Sequence, residues 1–356
     1  MEQMSLMEAD STTIENEEKS SVPEEKLNFP FNVSHENLQY YMNFIHNSKN
    51  TQKENQLVFW MQRIGLLPKV KLCQKCNPQQ KMECRKARVI DRWQWWCAKC
   101  EARAPVRDGS FFARISCSLI DALKLILAWC EDADCNIVAS QLGVKLRVAS
   151  MIYDRLDELA VELHTRIKLG SAEGLMLVTM YPDCLYRQSP DTTDQPHKHR
   201  ILMMADTTNI PTNYWLHVIK TGCEKLSNDD NEIKEEVSSI LSSVYGCGLL
   251  LVEDCVPFTE HHEQLRLISM NSVADHACSD MKRFIYEDFW RQATILCSAS
   301  RDYCASKDYS SIKDCTRAVQ RYLHVAAYRF RHPRNFYEQT LQAVAQKYNI
   351  TMTDAV

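Results

Sequence analysis

Residues 72–112 decide the fold, and they read LCQKCNPQQKMECRKARVIDRWQWWCAKCEARAPVRDGSFF. Two Cys-x-x-Cys pairs, Cys73/Cys76 and Cys97/Cys100, are separated by twenty residues. Each pair makes a tight turn with both sulfurs on one side, and a hairpin between the pairs brings the turns together. This spacing predicts a zinc ribbon in which four thiolates surround one structural Zn²⁺. The alternative is a set of free buried thiols, since cysteine is common in protein cores.

The same stretch contains an aromatic run and a fifth cysteine. Trp93, Trp95 and Trp96 come just before the second cysteine pair and predict a strand that covers the metal site. Cys84 lies inside the hairpin, and we interpret it as a spare thiol rather than a ligand. Upstream, residues 34–67 predict two short amphipathic helices that pack on the ribbon. Their core candidates are Leu57, Phe59, Trp60 and Ile64.

Charge is distributed unevenly along the 356 residues, whose formal net charge is −4. Residues 1–30 have eight acidic and two basic side chains (−6), whereas residues 68–115 have twelve basic and four acidic ones (+8). Residues 313–347 have seven basic and two acidic side chains (+5). The chain is therefore not a globally basic nucleic-acid binder, but its basic segments are where phosphate contacts are expected.

The sequence also predicts the cellular compartment and the fold class. We expect neither secretion nor membrane spanning, since no amino-terminal apolar segment with basic flanks and no run of eighteen apolar residues occurs. Sixteen cysteines then indicate reduced thiols and a metal site rather than a disulfide framework. The fold class is predicted to be α+β with several domains. The predicted segments are an acidic disordered tail (1–30), a helical pair (31–68), the ribbon (69–115), a helical region (116–170), a mixed α/β domain (171–348) and a C-terminal tail (349–356).

The helical region contains a helix-turn-helix pattern. Ser118 is predicted to cap a buried helix that starts at Leu119. Residues 135–142, a turn at Gly143 and residues 146–164 then read as helix, turn and helix. The pattern also occurs by chance in helical hairpins, so it leaves nucleic-acid binding open. After residue 174, three successive strands, an acidic helix, a further strand and several helices predict the α/β domain.

The order of these parts resembles that of DDE transposases. It is most similar to the Merlin superfamily and to ISXO2-like transposases of bacterial insertion sequences, over roughly residues 35–348. The most specific matches are the ribbon followed by RDGSFF, and the segments VEDC, IYEDFW and YLHVAAYRFR. The resemblance implies a domesticated transposase whose last domain has the ribonuclease H fold.

The family's chemistry is phosphoryl transfer by two Mg²⁺ ions that three carboxylates hold. The resemblance aligns Tyr181 with the first of these acids, Asp254 with the second and Glu287 with the third. A tyrosine is neutral near pH 7 and cannot bridge two hard cations. Asp183 lies two residues further on, a displacement of roughly 7 Å along a strand. We therefore expect a degenerate site without Mg²⁺ and without catalysis.

Three functional hypotheses remain. The first is a nuclear protein associated with DNA or chromatin, the second an active metal-dependent nuclease or transposase that uses a shifted carboxylate, and the third a scaffold for unknown protein partners. A homodimer is compatible with each, because transposases commonly assemble. The candidate DNA-contacting residues are Lys69, Lys71, Lys75, Lys81, Arg85, Lys86, Arg88 and Arg92 in the ribbon, and Arg147 and Arg155 in the helix-turn-helix.

Overall fold

The computed structural model describes residues 51–172, 174–181, 185–187, 197–220, 230–253, 255–257, 266–269, 278–305, 309, 311–332 and 336–353. These residues combine helices with β-sheets, which confirms the α+β class. The acidic tail, the first predicted N-terminal helix, Asp183 and Asp254 lie outside the described residues.

A small antiparallel sheet carries the cysteine pairs, and we call it the tryptophan sheet. It is made of β1 (Glu83–Lys86), β2 (Trp93–Trp96) and β3 (Arg103–Pro105), with β2 in the centre. The register places Glu83 opposite Trp96 and Lys86 opposite Trp93. The predicted strand of tryptophans is therefore confirmed, and it is the strand on which the other two pair.

One helix, α1 (Thr51–Arg63), precedes this sheet and corresponds to the second predicted N-terminal helix. Its Phe59 ring lies 4.8 Å from the Trp93 ring, edge to face, so the helix does pack on the tryptophan strand. The predicted core of the helix was partly wrong. Trp60 is buried, but Phe59 and Ile64 are 49% and 38% exposed. The helix turns Val58 and Met61 inward instead, because these two residues are three positions apart and share one face, while Phe59 is left at the rim.

Three helices follow the sheet: α2 (Leu119–Cys130), α3 (Cys135–Leu142) and α4 (Leu146–Thr165). Ser118 caps α2 as predicted, since its hydroxyl accepts a hydrogen bond from the Asp121 N–H at 3.0 Å. Gly143 ends α3 with φ of +63°, a left-handed conformation that glycine adopts without strain. The predicted helix, turn and helix are therefore present, with the turn where the sequence indicated it.

A five-stranded sheet forms the centre of the C-terminal half. Its strands are β4 (Leu175–Met180), β7 (Ile201–Asp206), β8 (Asn213–Val218), β9 (Leu249–Val252) and β10 (Leu267–Ser269). They are ordered β10-β9-β4-β7-β8. β4, β7 and β8 form an antiparallel meander, whereas β9 and β10 run parallel to β4. A separate hairpin joins β5 (Leu185–Arg187) to β6 (His197–His199).

Helices cover both faces of this sheet, because side chains alternate between the faces along each strand. On one face, Met176, Val178 and Leu250 pack against α5 (Asp230–Val244). On the other, Leu177 and Tyr181 pack against a long helical segment. That segment consists of α6 (Cys278–Ile285), a π-helical turn (Tyr286–Trp290), α7 (Arg291–Ala305) and α8 (Ile312–Arg331).

The last helix, α9 (Phe336–Thr353), returns toward the helical region and extends into the segment assigned to a C-terminal tail. Its Thr340 hydroxyl lies 3.6 Å from the Cys130 sulfur of α2. The Tyr337 hydroxyl donates to the Leu123 carbonyl of the same helix at 3.4 Å. The end of the chain therefore packs on the segment that follows the tryptophan sheet. Within the part of the chain described, no helix is long and apolar enough to cross a membrane.

Candidate metal centre and nucleic-acid interface

Four cysteine sulfurs converge beside the tryptophan sheet. The Sγ atoms of Cys73, Cys76, Cys97 and Cys100 all lie within 4.8 Å of one another, and we call this group the thiol cluster. Cys73 and Cys100 are 3.4 Å apart, and Cys76 and Cys97 are 3.7 Å apart. Tetrahedral coordination with Zn–S bonds of about 2.3 Å requires sulfurs about 3.8 Å apart. The thiol cluster could therefore hold one metal ion without rearranging the two turns.

The electrostatics of the thiol cluster also suit a cation. Burial, together with hydrogen bonds from the other three thiols, raises the pKa of Cys76 to about 12. The pKa of Cys97 is lowered to about 7, chiefly because the backbone N–H of Cys100 donates to its sulfur. Backbone donors thus stabilise one thiolate while burial disfavours a second negative charge. A divalent cation removes this conflict, since it deprotonates the thiols that coordinate it.

The side chains around the thiol cluster are those of the tryptophan sheet. Trp95 is 2% exposed and packs directly against the cysteines, as predicted for a strand that covers the site. Cys84 is half-buried and packs beside them, but it is not one of the four converging thiols. Trp96 points the other way, and the Arg85 guanidinium lies 3.5 Å from its ring centroid. One face of β2 thus covers the cysteines, and the Arg85 guanidinium of β1 lies on the other.

A buried ion pair, Arg107–Asp91, joins the hairpin of the ribbon to the helical region. The Arg107 guanidinium donates to both Asp91 carboxylate oxygens, through Nη2 and, at 2.8 Å, through Nε. Its Nη1 also donates to the carbonyls of Ile115 at 2.5 Å and Cys117 at 3.1 Å. Both charged side chains are almost completely buried. Neither Arg107 nor Asp91 was predicted from the sequence, although the phrase VRDGSFF was singled out for other reasons.

The ribbon residues proposed to contact DNA differ in their surroundings. Lys71 is paired with Asp108 at 2.5 Å, and Arg85 is paired with Glu83 at 2.7 Å. The others are exposed at the hairpin and the first cysteine turn: Lys69, Lys75, Lys81, Lys86, Arg88 and Arg92. Within the described part of the chain, no acid pairs with Lys69, Lys75, Lys81 or Arg88, and we call these four the open basic residues.

The tip of the hairpin combines this charge with exposed apolar side chains. Val89 and Ile90 are 42% and 61% exposed, and they follow Arg88 directly. The acid at the tip, Asp91, is buried against Arg107 and so offers no counter-charge at the surface. Residues 69–92 therefore present a basic surface with an apolar tip at the hairpin.

The two helix-turn-helix candidates on α4 differ in their exposure. Arg147 is exposed in the first turn of the helix. Arg155 faces the protein, where Nη1 donates to the carbonyls of Phe111 and, at 3.1 Å, Ala113. The structure thus uses Arg155 to hold the RDGSFF segment and leaves Arg147 at the surface.

The basic C-terminal helices are also occupied by internal contacts. Arg321 of α8 pairs with Asp154 at 3.2 Å and with Asp157 at 3.3 Å, both on α4. Arg329 pairs with Asp132 and donates to the Trp129 carbonyl at 2.8 Å. Much of the positive charge expected to meet phosphates in residues 313–347 therefore binds the helical region instead.

The two described positions that align with catalytic acids, Tyr181 and Glu287, lie in different environments. Tyr181 is 5% exposed in the apolar cluster between sheet and helices, and its hydroxyl lies 3.4 Å from Arg301 Nη2. Glu287 is exposed in the π-helical turn and pairs with Arg283 at 2.9 Å. Asp254 lies outside the described residues. Among the residues placed here, the thiol cluster is the one group of three or more potential metal ligands.

A neighbouring acid, Glu253, was missed by the sequence reasoning. It follows β9, and the register of β4 and β9 brings it beside Thr179. The Thr179 hydroxyl donates to Glu253 Oε2 at 2.6 Å, and Trp290 Nε1 donates to Oε1 at 3.3 Å. The signal was available, because the strand LLLV runs into two acids, but the resemblance directed attention to the second of them. The Glu253 carboxylate therefore lies between the five-stranded sheet and the helices that cover it.

No family model, no curated protein and no solved structure matches the chain.

Proposed function

We propose that this chain is a transposase-derived protein of the nucleus that associates with DNA or chromatin and does not catalyse strand transfer. The sheet supports the proposed ribonuclease H-like domain. An antiparallel meander of β4, β7 and β8, continued by β9 and β10 parallel to β4, is the strand arrangement of that fold. The helical α5 between β8 and β9 fits the same arrangement.

The proposed role of the thiol cluster is structural. Four cysteine ligands leave no open coordination position for a substrate, which is the arrangement of structural zinc sites. We therefore assign the cluster to Zn²⁺, with the ribbon as the element that the ion stabilises.

One observation carries the DNA-binding proposal: the open basic residues have no acidic partner, while the two acids of the hairpin are occupied. Glu83 pairs with Arg85, and Asp91 is buried against Arg107. Lysine and arginine side chains on such a surface gain most by displacing counterions from a phosphate backbone. Contacts of this kind position a protein on a duplex without reading its sequence. The exposed Arg147, in the first turn of α4, is a further proposed phosphate contact.

The proposed lack of catalysis rests on the environment of Tyr181. Two-metal catalysis needs a carboxylate that bridges both ions. The phenol at this position is neutral and belongs to an apolar cluster with Ile285 and Trp290. The acid that follows the neighbouring strand, Glu253, is engaged by Thr179 and Trp290. These contacts favour a domain that keeps the fold of a transposase and uses it without Mg²⁺.

Salt-dependent binding of the zinc-loaded full chain to duplex DNA tests the proposal. The logarithm of the binding constant is measured against the logarithm of the salt concentration. Each phosphate contact contributes about −0.9 to the slope. Replacing the open basic residues by alanine should make the slope less negative by about 3.6, and should weaken binding equally for unrelated sequences.

The matched control removes four exposed basic residues outside the ribbon: Arg200, Lys220, Arg266 and Lys282. This variant has the same net charge as the ribbon variant, so the slope should stay at the wild-type value if the ribbon is the contact surface. The DNA-binding proposal is refuted if the wild-type chain shows no salt-sensitive affinity. Equal slopes for the two variants would instead show that only net charge matters.

A protein-interaction scaffold is the second candidate, and one observation favours it. Three large apolar side chains of the segment 278–305 are well exposed: Phe284 (58%), Tyr286 (52%) and Ile295 (50%). Exposed apolar side chains grouped on one element are a common feature of protein-binding surfaces. A pull-down with the full chain and with a Phe284→Ser/Ile295→Ser variant tests this, since partners that bind there should be lost from the variant alone.

A further inference from the structure

Two buried cysteines lie at opposite ends of the connection between α7 and α8. Cys304 is in the last turn of α7 and Cys315 in the first turn of α8, and they are 3% and 2% exposed. Their Sγ atoms are 2.8 Å apart. Neither residue belongs to the thiol cluster, and neither enters the proposed function.

The 2.8 Å separation of the two sulfurs lies between the distance of a packing contact and that of a disulfide bond. Non-bonded heavy atoms rest roughly 3.5–4.0 Å apart, whereas a disulfide bond is about 2.05 Å long. At 2.8 Å the two sulfurs are closer than an ordinary packing contact, which places them within reach of a bond. Little helix movement is needed to close the remaining gap.

We propose that Cys304 and Cys315 form a reversible thiol–disulfide site whose reactant is a small-molecule disulfide of the glutathione class. One cysteine thiolate attacks a sulfur of the reactant and releases one small thiol, which leaves a mixed disulfide. The other cysteine then loses its proton and attacks the protein sulfur of that mixed disulfide, releasing the second small thiol. The two cysteines lose two electrons and two protons, and the reactant gains both to become two thiols.

The position of the bond gives it a structural consequence. Both sulfurs belong to the apolar cluster that covers one face of the five-stranded sheet, together with Val319 and Leu323. Arg301, whose guanidinium reaches the Tyr181 hydroxyl, lies one turn before Cys304 on α7. The bond would fix the end of α7 to the start of α8 and so hold the helical cover on the sheet.

The test uses the zinc-loaded full chain equilibrated in mixtures of reduced and oxidised glutathione, then alkylated and digested with trypsin without reduction. The sequence places Cys304 in the tryptic peptide DYCASK and Cys315 in DCTR. We expect these two peptides linked, lighter than their sum by two hydrogens, and separated again by dithiothreitol. Closing a loop of this length should raise Tm by roughly 4 °C in a chain of this size.

Two variants and one added condition make the result decisive. Cys315→Ser should abolish both the linked peptide and the Tm increase. Cys297→Ser, which removes an equally buried thiol about two turns earlier on α7, should leave both unchanged. Because burial slows the access of glutathione to the two thiols, a parallel incubation contains urea at a concentration below the unfolding midpoint. The proposal is overturned if both peptides are recovered as free thiols even there, or if they link only after complete unfolding.

Discussion

Removing the carboxylate of the buried pair Arg107–Asp91 should destabilise the ribbon far more than removing any surface pair. In Asp91→Ala, the guanidinium stays buried and keeps only its bonds to the carbonyls of Ile115 and Cys117. An uncompensated buried charge of this kind costs about 3–5 kcal/mol. The exposed pair Arg85–Glu83 is the internal reference, and Glu83→Ala should cost less than about 1 kcal/mol.

The assay is urea unfolding of the zinc-loaded full chain, followed by tryptophan fluorescence. Trp95, buried against the thiol cluster, reports on the ribbon. Amide hydrogen exchange across residues 91–117 shows whether the loss is confined to the segment that the pair joins. Because both partners are buried, raising the salt concentration should change the Asp91→Ala effect little, since screening acts on exposed charges.

A double variant separates the loss of the ion pair from the loss of buried volume. Asp91→Leu combined with Arg107→Met removes both charges and keeps apolar bulk, so it should recover part of the stability lost in Asp91→Ala. An Asp91→Ala variant that unfolds at the same urea concentration as Glu83→Ala would refute the reasoning. It would mean that water hydrates the Arg107 guanidinium and replaces the ion pair without loss of stability.

Three further predictions concern pH, metal and the sheet. Burial lowers the pKa of His164 to about 3 and that of His324 to about 4, below the usual 6.5, so both are neutral in the folded chain and protonate on unfolding. The stabilisation that comes from keeping these histidines neutral should therefore be fully present above pH 6.5. The free energy of unfolding should fall by about 2 kcal/mol for each histidine between pH 7 and pH 5. The substitution His164→Gln should make the free energy of unfolding, measured by urea titration, less dependent on pH. Cys97→Ser should abolish bound zinc measured by elemental analysis, whereas Cys84→Ser should retain one ion per chain. Tyr181→Asp should yield no Mg²⁺-dependent plasmid nicking. It should also lower the free energy of unfolding by about 2–4 kcal/mol, since it places a carboxylate in an apolar cluster. Nicking by this variant but not by Tyr181→Phe would contradict the proposal of an inactive domain.

Local signals predicted much of the fold. The Ser118 cap and the glycine turn at Gly143 are properties of a few neighbouring residues, so the sequence alone located them. The convergence of the thiol cluster followed from the spacing of two Cys-x-x-Cys pairs, because the turn that each pair makes leaves its sulfurs few other positions.

Contacts between distant segments could not be predicted in the same way. Thr179 and Glu253 meet only because β4 and β9 pair in one register, and no local pattern fixes a register between strands this far apart in the sequence. The inward turn of Arg155 depends on where the RDGSFF segment packs. Burial of Phe59 was predicted wrongly, because a helix beside a small sheet has a narrow buried face. Each of these outcomes is decided by tertiary packing rather than by composition or period.

The arginines of α8 have a consequence for how the helix-turn-helix can be used. Arg321 and Arg329 connect α8 to α4 and to the end of α2, and α8 also packs along β8. The helices that would meet a duplex are thereby tied into the same compact unit as the sheet. A nucleic acid bound at the first turn of α4 would therefore have one fixed orientation relative to the five-stranded sheet. Cutting the chain before residue 312 would remove the support of α4, so the two halves cannot be expected to work as exchangeable modules.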